Sequence, residues 1–202
     1  MRSRGQLQQS YDLAARAAVT QFSEHQPTCG VELGLMLLAD YITDDVQVAV
    51  GPMQLAMAVL DASSEDVEQL VSLAKATLKW VVSCGGTRTD VAQVHDAVAQ
   101  RVCDGKGLAA ATPFFVRATS LVPFAAAVKA AAGEGLPQEQ GLFFLRAVLQ
   151  ALLACERVTE EGAARCAPLV EAFPGCESPA AHLAQLLLVV CFFVTMYIYM
   201  QD

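Results

Sequence analysis

The chain has 202 residues, with 54% apolar and only 17% charged side chains, enough for one compact domain with a sizeable core plus a short appendage. Thirteen Lys and Arg stand against 21 Asp and Glu, for a net charge of −8. That balance lacks the clustered cations that displace counterions from phosphates, which argues against a nucleic-acid partner. Mean hydropathy of +0.41 is high for a domain that must cover itself with polar groups, so part of the surface is expected to meet lipid or a partner.

Apolar residues recur at three- and four-residue steps, and strict alternation is rare, so the predicted class is all-α. Gly and Pro divide the chain at "HQPTCG", "VGP", "CGGT", "CDGKG", "GEGLPQEQG" and "FPGCESP". The spacing gives seven or eight helices in a single bundle around a buried central helix, closed by a hydrophobic C-terminal helix. The predicted boundaries are a bundle over 1–177 and the terminal helix over 178–202.

In chain order, Leu7, Tyr11, Ala14, Ala18 and Phe22 form the stripe of a first helix over 6–24. A second, over 30–48, turns Val31, Leu35, Leu38 and Ile42 to one side. A short third helix covers 52–62. The next opens at "SSEDVEQLV" with Ser63 or Ser64 as cap and acids in its first turn, where the helix dipole favours them. "CGGTRTD" reads as a helix-ending turn, and "TDVAQVHDAVAQRV" as an amphipathic helix with Val91, Val94 and Val98 inward. Pro113 and Pro123 imply a helix pair or a kink. "PQEQGLFFLRAVLQALLACERV" is the most apolar internal stretch and is expected to be the central helix, with a short helix near 159–172 after it.

From Leu183 to Met200, Gln185 is the one strongly polar residue, and 18 residues at 1.5 Å each reach roughly 27 Å, near the thickness of a thin bilayer. A membrane anchor is therefore expected here, carried by Leu186, Leu187, Leu188, Val189, Val190, Phe192, Phe193, Val194, Tyr197, Ile198 and Tyr199. The two tyrosines stand where rings with a polar edge favour the interface. No apolar leader follows the first arginines, so the bundle is expected on the cytosolic side.

Catalytic and metal chemistry find little footing. Seven cysteines include no Cys-x-x-Cys pair, and three histidines do not complete a ligand set, so reduced thiols, no metal and no cofactor are expected. Cys29 beside His25 lacks an orienting group, and adjacent carboxylates such as Asp44 and Asp45 diverge by about 100° on a helix. The chain reads as a non-enzyme.

In "VELGLMLLADYITDD", Val31, Leu35, Leu38 and Ile42 make an apolar ridge, with small Ala39 and acidic Asp40 between its last two members. Such a helix suits a hydrophobic groove with an Arg on its rim. This stretch resembles the third homology motif of the Bcl-2-like apoptosis regulators. The first helix, the bundle length and the apolar tail are similar too, and "GGTR" at 85–88 offers Arg88 as the groove arginine. The resemblance implies a regulator of apoptosis, binding amphipathic death-motif helices of homo- or hetero-dimeric partners. It further implies a site on the cytosolic face of the mitochondrial outer membrane or the endoplasmic reticulum. With Ile only at 42 and 198, a GC-rich viral gene fits. The alternative is a tail-anchored helical adaptor or viral membrane-associated protein without a groove.

Overall fold

A computed structural model describes residues 4–63, 66–155 and 160–199. Eleven α-helices and a short 3-10 turn account for most of them, and no strand occurs among the described residues. The all-α expectation holds. The number of helices is higher than the seven or eight expected; the one short helix expected near 159–172, for example, is two, Glu160–Arg165 and Ala167–Ala172, with Pro168 in the first turn of the second. The chain forms two compact units, Met1–Gly105 and Lys106–Asp202, dividing within the end of a helix rather than at residue 177.

The first unit holds α1 (Arg4–Ser23), α2 (Pro27–Thr43), α3 (Val50–Ala62), α4 (Val67–Ser83) and nearly all of α5 (Arg88–Lys106). Helix α1 lies on α2 and α3, and α2 also packs on α4. Its deepest residues are Trp80, Tyr41, Leu37, Leu60, Leu70, Leu73, Val81 and Val94. Three rings run through this core: Tyr11 meets Tyr41 edge-on at 4.9 Å, and Tyr41 lies 5.0 Å from Trp80. The polar edges of two rings reach the loop after α2, where Tyr11 Oη donates to Asp44 Oδ2 at 2.6 Å and Trp80 Nε1 donates to the Val46 carbonyl at 2.8 Å. An aromatic core and a loop are thereby fixed together.

The cap of α4 differs from expectation. Asp66 accepts from the backbone N–H of Glu68 and Gln69, whereas Ser63 donates to the Leu60 carbonyl at the end of α3; Ser64 lies outside the described residues. An aspartate nearer the first turn outcompetes the serines, since it brings both an acceptor and a charge to the helix dipole. "CGGT" is the turn expected. Gly85 adopts φ +78°, open to a residue without Cβ, and Gly86 N–H donates to the Val81 carbonyl at 2.8 Å. Helix α5 then starts from a reciprocal cap: Thr87 N–H and Oγ1 donate to Asp90 Oδ2, and Asp90 N–H donates back to Thr87 Oγ1.

The second unit contains α6 (Leu108–Phe115), α7 (Val122–Glu134), α8 (Gln140–Leu153), α9 (Glu160–Arg165), α10 (Ala167–Ala172) and α11 (Pro179–Tyr199). The helix pair expected here is α6 and α7: Pro123 stands in the first turn of α7, where its missing N–H costs nothing, whereas Pro113 lies inside α6 and the break falls after it, at 116–121. Helix α8 packs on α7, α9, α10 and α11. It buries Phe144, Ala147, Val148, Ala151 and Leu152, but Leu142, Leu149 and Leu153 are exposed. It is thus a one-sided helix and not the buried centre of a bundle.

Candidate functional site

Helix α2 was expected to turn Val31, Leu35, Leu38 and Ile42 to one side. Its buried residues are instead Gly30, Gly34, Leu37, Leu38 and Tyr41, so the face is rotated by about one residue and only Leu38 is shared. Val31, Leu35 and Ile42 are half-buried, whereas Ala39 and Asp40 are exposed. The reason is close approach. A Cβ on Gly30 would lie 2.9 Å from the Phe22 ring, and one on Gly34 would lie 2.8 Å from both Leu73 and Val59. Two glycines one turn apart let neighbouring helices press against the α2 backbone, and that contact outweighs a ridge of larger side chains. Arg88, at the start of α5, is exposed.

Helix α11 reverses the usual amphipathic pattern. Its buried residues are small, Ala181, Ala184 and Cys191, and it rests on α8 and α9. Gly141 at the start of α8 takes part, because a Cβ there would collide with the Ser178 side chain and lie 3.3 Å from Ala181 N. The large apolar side chains point away: Leu183, Leu186, Val189, Val190, Phe192, Phe193, Val194 and Tyr197 are 41–66% exposed. Leu187 and Leu188 are half-buried, and the side chains of Ile198 and Tyr199 lie outside the described residues. Among the described residues no helix is long and apolar enough to cross a membrane. An anchor is surrounded by lipid, whereas α11 gives one whole side to protein.

A cleft of about 210 Å³ opens between α6, α7 and α8. Phe124 and Val128 of α7, Ala147 of α8 and Thr112 of α6 are buried along it, and Phe143 and Gln150 are half-buried at its sides. Its one ionisable lining residue, Arg146, is exposed at the mouth. With no carboxylate, imidazole or thiol among its lining residues, the cleft can hold an apolar group and orient an anion, but it offers no proton-transfer pair. No metal-binding cluster occurs among the described residues. Burial pushes the Cys166 thiol up to about 11, which keeps it protonated and weakly nucleophilic.

Two cations that the sequence reading passed over bind backbone carbonyls. Arg101 of α5 donates to the Leu60 and Asp61 carbonyls at the end of α3 and lies 3.3 Å from Asp61 Oδ1. Arg165 Nη2 donates to the Ala118 carbonyl at 2.7 Å. Arg101 thus adds positive charge to the C-terminal carbonyls of α3, where Ser63 already donates to Leu60, and Arg165 does the same for a carbonyl in the loop after α6. The available signal for Arg101 is its position among apolar residues, three after Val98 and one before Val102.

The GET4 family model, Golgi to ER traffic protein 4, matches residues 4–191 of this chain. No curated protein matches it. The match overturns the resemblance to the Bcl-2-like apoptosis regulators, and with it the death-motif partners and the mitochondrial and viral setting. That resemblance rested on an apolar period that many helices share, and on α2 the period does not mark the buried face. The placement on the cytosolic face of an intracellular membrane depended on a terminal span and is corrected with it. An adaptor, the alternative reading, fits better. Reaching nearly from end to end of an all-helical chain, the match identifies this protein as a member of the Golgi to ER traffic protein 4 family.

Proposed function

We propose that this protein is a non-enzymatic helical adaptor of Golgi-to-ER traffic, holding protein partners in the targeting of tail-anchored membrane proteins. The observation that carries the reading is the uncovered face of α11. Leu186, Phe193 and Tyr197 are each more than half exposed, with five further large apolar residues around them. A contiguous apolar patch of this kind marks a protein-binding surface. Its aromatic and aliphatic composition, without a charged side chain from Pro179 to Tyr199, is that of an interface centre.

The test uses cells that lack their own member of the family and carry a tail-anchored reporter with a glycosylation site on its lumenal end. The chain is expected to restore reporter glycosylation. The double variant Leu186→Asp, Phe193→Asp is expected to fail while its helical circular dichroism stays unchanged. Restoration by that variant would remove α11 from the reading. A folded wild-type chain that restores nothing would remove the traffic role.

A further inference from the structure

We propose that the cleft between α6, α7 and α8 is a socket for one large apolar side chain of a partner protein, and that Arg146 pairs with an acidic residue on the same partner segment. The inference rests on the adaptor reading only in needing a protein partner.

Size selects the occupant first. At about 210 Å³ the cleft is smaller than the roughly 300–1,000 Å³ of pockets that enclose small molecules, but it suits a Leu, Phe or Trp side chain. Its lining agrees, since half-buried Leu108, Ala131 and Phe143 give an anchor a ring and methyl groups to touch, over a floor closed by buried Phe124, Val128 and Ala147. Such anchors, seated in pockets, dominate the affinity of protein interfaces.

Charge selects the neighbour of that anchor. Arg146 makes no hydrogen bond or ion pair with another described residue. It is the only charge lining the cleft, although the chain as a whole carries −8. A cation on the rim of an apolar socket in an acidic protein attracts an anionic partner and disfavours a basic one. On a helical partner segment, an acid about one turn from the anchor shares the anchor's face and so meets this rim.

The probe is a short alanine-based helical peptide with one Leu and a Glu one turn after it, titrated into the full chain and followed by amide shifts. Saturable shifts are expected in α6, α7 and α8. Replacing the peptide Leu by Ala should abolish them, and replacing its Glu by Lys should weaken binding by roughly threefold to fivefold. Arg146→Glu, a change at an exposed side chain, should reverse that preference. Ala131→Phe, which fills the cleft from α7, should remove binding of both peptides. Equal affinity for the two peptides, no reversal in Arg146→Glu, or no binding to a folded chain would each overturn the proposal. So would two other occupants: a dimer that Ala131→Phe dissociates in sedimentation equilibrium, or decanoate binding with the peptide unable to displace it. If the peptides do not bind but the chain still restores reporter glycosylation, the socket fails and the adaptor reading stands.

Discussion

Tyr11 shows how one side chain couples burial to alkaline stability. Its ring is buried against Tyr41, and its hydroxyl donates to Asp44. Burial first, then the hydrogen bond to Asp44 and the charges of Asp44 and Asp40, push it up to about 12. A tyrosine in the unfolded chain ionises near ~10. The folded state therefore keeps a proton that the unfolded state releases, so this stability is whole below pH ~10 and falls as pH rises toward 12. Urea midpoints measured from pH 8 to 12 are expected to fall above pH ~9, where the buried Cys166 thiol first contributes, and more steeply above pH ~10, the latter part being less steep in Tyr11→Phe. At neutral pH the same variant is expected to lose only about 1 kcal/mol, the net worth of one hydrogen bond to an exposed carboxylate. An unchanged alkaline slope would show that Tyr11 does not carry the effect. Tyr41 and the Cys166 thiol, both raised by burial, contribute to the slope that remains.

Gly34 makes an opposite case, where the absent side chain matters. Alanine there gains about 1 kcal/mol in helix propensity, but its Cβ would meet Leu73 and Val59 at 2.8 Å. Leu73 can swing its terminal methyl aside. Val59, β-branched and held in a helix, cannot, and overpacking of this kind costs about 1–3 kcal/mol. Gly34→Ala is expected to destabilise the chain by about 1 kcal/mol in urea unfolding, whereas alanine at Gly133, where nothing stands within 4 Å, should stabilise it.

Among the elements, α11 and α2 fail a simple apolar reading in the same way. Both bury small residues, Gly30 and Gly34 in one and Ala181 and Ala184 in the other; α11 leaves its large apolar groups exposed, whereas α2 also buries Leu37, Leu38 and Tyr41 and leaves Val31, Leu35 and Ile42 half-buried. Apolar periodicity scores Val, Leu and Ile and overlooks Gly and Ala, so it found both helices but misjudged what each faces. Where the buried residues are themselves large, as with Leu70, Leu73, Trp80 and Val81 on α4, the pattern and the packing agree. The turns were legible too, because Gly85 and Pro123 act locally through φ and a missing N–H. The cleft was not legible, since it assembles residues from three helices that no spacing connects. For α11 the small stripe predicts an asymmetry. Ala184→Leu should loosen α11 from α8 and raise hydrogen exchange along α11, whereas Val189→Ser, on the exposed face, should leave urea stability within about 0.5 kcal/mol.

At the scale of the whole molecule, charge and apolar surface act against each other. A net charge of −8 keeps copies apart at pH 7, yet α11 offers each copy an apolar face on a helix without Asp, Glu, Lys or Arg to block self-contact. Repulsion disappears as carboxylates take up protons and the pH approaches the sequence pI of about 4.8, whereas apolar attraction does not depend on pH. Light scattering of the full chain is therefore expected to rise steeply between pH 6 and 5, and added salt at pH 7 should raise it by screening the same repulsion. The Leu186→Asp, Phe193→Asp variant separates the two causes. It adds two carboxylates, which by themselves move the pI only slightly, but it also breaks the apolar face. If α11 drives association, scattering near the wild-type pI should fall severalfold in this variant, well beyond the effect of placing two acids at Val50 and Val82, exposed positions on α3 and α4. Equal reductions from both pairs would assign the association to net charge alone and leave the α11 face without a role in it.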